Sequence, residues 1–139
     1  MSYLLDTDVI SELTRPRPHP GVLAWVEALP VTSSHLSVLT VGEIRSGVER
    51  LRDRARRERL RRWLEHELPA WFGGRLLPVS AEIADRWGRL VAEVGRPVPV
   101  IDSLLAATAL QHDLRLVTRN RVDFRFPGLE VVDPWSRSG

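Results

Sequence analysis

The sequence predicts an α/β fold in which short parallel strands alternate with helices. Three features point to it: brief apolar runs such as Tyr3-Leu4-Leu5 and Leu116-Val117, intervening stretches with apolar residues three and four apart, and breaks marked by Gly or Pro. Parallel neighbours need crossover connections, so this alternation covers both faces of the sheet with helices. The expected architecture is an α/β/α sandwich around a central parallel sheet of four or five strands. With 139 residues the chain has the length of one domain, spanning residues 1–139 and enclosing one proper core.

Taken in order, Tyr3-Leu4-Leu5 reads as a strand ending at Asp6, and Thr7-Asp8 can cap a helix carrying Val9, Ile10 and Leu13. Prolines between Arg15 and Pro20 break that helix, after which Val22, Trp25, Val26 and Leu29 recur at helical spacing until Pro30. A strand is expected over His35 to Leu39, then a helix from Thr40 with Val41, Ile44, Val48 and Leu51 on one face. From Arg54 to about Leu68 the positions Leu60, Trp63, Leu64 and Leu68 describe an amphipathic helix, closed by Gly73-Gly74. Leu76 to Val79 reads as a strand, and Ser80 opens a helix with Ile83, Trp87, Leu90 and Val94 that stops at Gly95 and Pro97. A helix around Ile101, Leu105 and Ala109, a strand at Leu116-Val117 and a short strand from Leu129 to Val132 complete the chain. Trp25, Trp63 and Trp87 fall on the apolar stripes of their helices, which assigns them to packing and not to base stacking.

Composition narrows the chemistry. Hydrophobic residues at 43% and charged residues at 27% match a soluble globular protein. No apolar run approaches the roughly 18 residues of a membrane span, and Asp6 interrupts the place where a signal peptide would stay apolar, so a cytoplasmic protein is expected. Without cysteine there is neither a thiol nucleophile nor a thiolate metal site, and His19, His35, His66 and His112 show no paired zinc spacing. Any metal must therefore meet oxygen or imidazole ligands, and zinc fits poorly. All 20 basic residues are Arg, and nine of them fall in residues 45–62 against Glu49, Asp53 and Glu58. Such a segment suits phosphate, and equally a solvated helix face.

In an open parallel sheet, chemistry gathers at the carboxyl ends of the strands. Asp6 ends the first apolar run, Glu43 lies early in the helix after the second, and Asp102 begins the helix before Leu116-Val117. Carboxylates brought together at one sheet edge can hold magnesium, a hard octahedral ion that keeps several waters and acts on phosphodiesters. Each residue also has a plain structural reading. Asp6 and Asp102 read as helix caps, and Thr40-Val-Gly-Glu43 matches the capping box, in which Glu bonds back to the cap residue.

Four segments in order go further: Leu4-Leu-Asp-Thr-Asp-Val-Ile-Ser-Glu12, Leu39-Thr-Val-Gly-Glu-Ile-Arg-Ser-Gly47, Ile101-Asp-Ser-Leu-Leu-Ala-Ala-Thr-Ala109 and Leu116-Val-Thr-Arg-Asn120. Together the chain resembles the PIN-domain nucleases, and within them the VapC and FitB type of toxin from bacterial toxin–antitoxin pairs, over residues 3 to 135. The resemblance implies a PIN-like fold and a magnesium-dependent endoribonuclease, with manganese able to substitute and no cofactor beyond the metal. It makes Asp6, Glu43 and Asp102 the metal ligands. At the fourth position this chain has Asn120 where relatives such as FitB place Asp, and its neutral amide oxygen is the weaker ligand. Asp123 is the alternative; Asn120 is weighted above it.

Thr118 and Arg119 are auxiliary candidates, Thr118 to orient a ligand or bind phosphate, and Arg119, like Arg15 and Arg121, to clamp phosphate at the site edge. The implied partners are RNA, a second copy of the chain, and an antitoxin in a toxin–antitoxin hetero-oligomer that reaches operator DNA only through the antitoxin. The helices between Val41 and Leu68 are the expected antitoxin groove. Two other functions fit the same fold: a non-catalytic nucleic-acid or protein-binding module, and an aspartyl-phosphate phosphatase built on Asp6 and Asp8. The second normally places a Lys beside the phosphoryl group, and this chain has none.

Overall fold

In the computed structural model, which describes residues 1–136, the first strand β1 (Tyr3–Leu5) runs directly into α1 (Thr7–Leu13). There follow α2 (Pro20–Glu27), β2 (Ser34–Ser37), α3 (Val38–Glu49), α4 (Arg54–Arg62), α5 (Leu68–Phe72), β3 (Leu76–Leu77), α6 (Ala81–Val94), α7 (Val100–Gln111), β4 (Arg115–Val117) and β5 (Val131–Val132). The five strands form one parallel sheet in the order β3-β2-β1-β4-β5. This is the expected α/β/α sandwich, with five strands; the expected domain also includes residues 137–139, which lie outside the described residues.

Alternation along the strands divides the interior in two. Leu4 and Leu116 face α6 and α7 and pack with Ile83, Leu90 and Leu105. Leu5, Leu36 and Val117 face the other way and pack with Val9, Val22, Ile44 and Phe72. Leu4 and Leu116 are fully buried, and truncating either to Ala would cost about 2–5 kcal/mol.

Local chemistry sets the helix ends. Ser80 Oγ accepts the Ile83 N–H to start α6, and Gly95, at φ +67°, ends it in a conformation that L side chains resist. Ser37 Oγ accepts the Leu39 N–H, so α3 starts three residues earlier than the capping-box reading requires. Thr40 and Glu43 are helix interior, which overturns that reading and leaves the Glu43 carboxylate free. The expected helix from Arg54 to Leu68 is interrupted by a π-helical turn at Trp63–Glu67 before α5. Pro69 has no N–H to donate to the preceding turn and its ring crowds it, and the Leu68 N–H bonds instead to Trp63 O. The strands at Leu76 and Val131 are shorter than expected, each only two residues.

The apolar residues Ile44 and Val48 of α3 are spent on the protein's own core. The exposed apolar groove is built by the later part of the expected Val41–Leu68 segment together with α2 and α5: an open cavity of about 810 Å³ whose walls include Leu13, Val26, Leu60, Trp63, Trp71 and Phe72. Trp25, Trp63 and Trp87 pack against the cores as expected, and the Trp87 indole N–H donates to Ser103 Oγ at 2.8 Å.

The chain leaves β1 for β2 on one side and reaches β4 on the other, so the sheet order switches direction at β1. Crossovers diverge there and leave a crevice at the carboxyl ends of β1 and β4.

Candidate metal centre

Asp6 sits in that crevice. Its N–H donates to Val117 O of β4 at 2.9 Å, extending the ladder one residue past the strand, while its side chain caps α1 by accepting the Thr7 N–H on Oδ1 at 2.8 Å. Thr118, the first residue after β4, is fully buried and donates its hydroxyl proton to Asp6 Oδ2 at 2.8 Å. The same hydroxyl lies 3.2 Å from Asp8 Oδ2, which accepts the Arg119 N–H at 2.9 Å. Thr7 donates its hydroxyl to Glu43 Oε1 at 2.6 Å, tying α3 to the start of α1. Asp102 lies in the first turn of α7, whose cap residue is Pro99; its carboxylate caps nothing.

The electrostatics record one shared volume. Burial pushes the Asp6 carboxyl up to about 7; the Asp8 charge adds to this, the Thr118 hydroxyl and Thr7 N–H oppose it, and Asp102 adds again. Burial also raises Asp8, opposed by the Arg119 N–H, the Thr118 hydroxyl and the Val9 N–H and reinforced by the Asp133 charge. For Asp102, burial is again the first cause, followed by the charges of Asp123, Glu43 and Asp8. Like charges gathered in a low-dielectric crevice favour protonation unless a cation offsets them.

No described ion pair reaches Asp6, Asp8, Glu43, Asp102 or Asp123. The Asp8 Oδ1 atom is buried and has no hydrogen-bond partner among the described residues. An all-oxygen donor set with an orphaned carboxylate oxygen and no ion-paired counter-charge among the described residues fits a hard divalent cation. As placed, no three acidic or His side chains among the described residues close around one ion position.

The remaining candidates separate. Asn120 is exposed; its backbone N–H donates to Thr118 Oγ1 at 3.1 Å, and its side chain makes no cap contact. Asp123, in the 3-10 turn Arg121–Phe124, is exposed like Asn120, and its charge is the largest of those that raise Asp102. The Arg119 guanidinium stacks over Trp135 at 5.6 Å while its backbone serves Asp8. Arg15 follows the C-cap of α1, roughly 13 Å along the helix from Asp6, and pairs with Glu12 at 3.4 Å; it is not at the site edge. Asp8 was not among the site residues expected from sequence. Its signal was its position two after Asp6, which reads just as well as an ordinary acidic residue in a first helical turn.

Comparison with known proteins agrees with the fold. The family profile described as PIN domain matches residues 3–126. The chain is 36% identical to Toxin FitB of Neisseria gonorrhoeae over 95% of its own length and 97% of that protein. It is 34% identical to VapC ribonuclease Y4jK of Sinorhizobium fredii, over 95% and 96% of the two chains. The fold superposes on the crystal structure of FitAcB from Neisseria gonorrhoeae with a TM-score of 0.89 at 35% identity, covering 97% of this chain and 99% of that one. A structure of FitAB bound to an IR36 DNA fragment gives 0.88 at 33% identity, covering 99% and 98%. No helix among the described residues is long and apolar enough to cross a membrane.

Proposed function

The chain belongs to the PIN-domain family, and from that premise we propose that it is the ribonuclease toxin of a type II toxin–antitoxin pair, a cytoplasmic magnesium-dependent endoribonuclease formed by one domain over residues 1–139. The observation that carries this reading is the set of carboxylates at the β1–β4 crevice that no positive side chain among the described residues pairs with. Asp6, Glu43 and Asp102 hold the metal, Asp123 lies beside Asp102, and Asn120 is at the margin. A bound magnesium ion, for which manganese can substitute, would polarise the scissile phosphate and lower the pKa of a coordinated water.

The chain's own residues do the rest. Thr118 and the Thr7 N–H stabilise the ionised form of Asp6, and Thr7 orients Glu43. Because the crevice repels phosphate, RNA affinity comes from arginines outside it. In the 45–62 segment, Arg45 and Arg61 are engaged by Glu49, Glu58 and Glu65, and Arg57 donates to Leu51 O. Arg50, Arg52 and Arg54 are exposed at the α3–α4 turn and available to phosphates.

The apolar groove between α2 and α4–α5 is the antitoxin's place. Trp71, a large apolar side chain, is 54% exposed there, and an amphipathic helix would cover it. We read the cellular form as a hetero-oligomer of toxin dimer and antitoxin, with operator DNA contacted only by the antitoxin. The direct test is a digest of purified RNA with and without magnesium, using wild type and D102A. Discrete cleavage by wild type with magnesium alone is expected; equal cleavage by D102A, or in EDTA, would refute the reading.

A further inference from the structure

Asp8 is the acidic residue of the crevice that the set Asp6, Glu43 and Asp102 leaves without a task, and its two carboxylate oxygens differ. Oδ2 accepts the Arg119 N–H at 2.9 Å and lies 3.2 Å from the Thr118 hydroxyl, fastening the turn after β4 to the start of α1. Oδ1 is buried with no hydrogen-bond partner among the described residues, and no described ion pair reaches it. A turn-fastening role accounts for Oδ2 only. It leaves unexplained why the residue carries a full charge beside Asp6, since Asn would present the same acceptor without repulsion or an orphaned anionic oxygen.

A cation resolves both costs. We propose that Asp8 supplies a fourth carboxylate to the ion held by Asp6, Glu43 and Asp102, through Oδ1, directly or by way of a coordinated water. This rests on the metal-dependent reading above. The charge of Asp8 bears on both Asp6 and Asp102, as expected of groups that share one ion. Its placement balances the site across Thr118, whose hydroxyl meets Asp8 on one side and the Asn120 N–H on the other. Asn120 itself carries no charge, and Asp8 brings one to Thr118 from α1.

The test is calorimetric titration of the full chain with manganese, for wild type, D8N and D102N, with melting temperatures taken metal-free and manganese-loaded. D8N keeps an oxygen to accept the Arg119 N–H and loses only the charge. Its manganese affinity should fall about tenfold or more, and its metal-free melting temperature should hold or rise because repulsion is relieved. D8N binding manganese within about twofold of wild type, while D102N loses it, would overturn the proposal and leave the metal reading standing. Unchanged binding by D102N would instead overturn the metal reading itself. Should D8N not fold, Asp8→Glu decides: moving the charge out by one methylene must weaken manganese binding, and undiminished binding would again overturn the proposal.

Discussion

The Thr118 hydroxyl lies 2.8 Å from Oδ2 of Asp6, so the ends of β4 and β1, 112 residues apart in the chain, meet in one hydrogen bond. Both partners are buried, and the acceptor is a carboxylate surrounded by other carboxylates. T118V removes the donor at nearly constant volume. It should destabilise the protein by about 1–3 kcal/mol at neutral pH or above, whereas T118S should recover most of that loss. Thermal unfolding checks this, and equal stability of T118V and wild type would show that the bond contributes nothing.

Stability of the metal-free protein should fall as pH rises between 3.8 and about 7. Asp6 holds its proton more tightly in the folded chain than in the unfolded one, so across that window the native state binds more protons. Native stability is therefore greatest at the acid end of the window and flattens above it, with at most about 4 kcal/mol attributable to Asp6. Asp8 and Asp102 shift in the same direction. Manganese should reverse the trend, raising the melting temperature more near the alkaline end, where it does not compete with protons. A pH-independent stability in EDTA, or the same slope in D6N, would count against this account.

Among the acids, D6A and D102A should each lower RNA cleavage on the order of a hundredfold or more, about 3 kcal/mol of barrier. N120A should cost much less. N120D adds a carboxylate next to Thr118 and should tighten manganese binding, while D123N should weaken it by relieving the charge that faces Asp102. Cleavage rates and manganese titrations on the same preparations decide the order. An N120A loss equal to that of D102A would move Asn120 into the ligand shell.

In the groove, Trp71 is the exposed anchor, and W71A should lower affinity for the antitoxin by about 2 kcal/mol or more, as central interface tryptophans do. Its nuclease activity should stay near wild type and its own melting temperature should fall only modestly, because more than half of Trp71 is exposed in the free protein. Titration with the product of the adjoining small reading frame measures the first, and RNA digestion the second. Undiminished binding would place the partner on another face.

The sequence by itself determined the layered parallel fold and the helical stripes, and it singled out the acids Asp6, Glu43 and Asp102 as the proposed ligands. All of these are written in local signals: apolar periodicity, breaks at Gly and Pro, and four short segments in a fixed order. Where two local signals competed, as with the capping box at Thr40 and the cap at Ser37, only the folded helix chose between them. Tertiary structure alone decided that Asp8 shares Thr118 with Asp6, that the charge of Asp123 bears on Asp102, and that Arg15 lies away from the crevice. It also decided that α3 spends its apolar face inward while a groove opens between α2 and α5. These are relations between residues far apart in the chain, set by which strands lie side by side and how the helices above them pack, and no spacing along the chain encodes them.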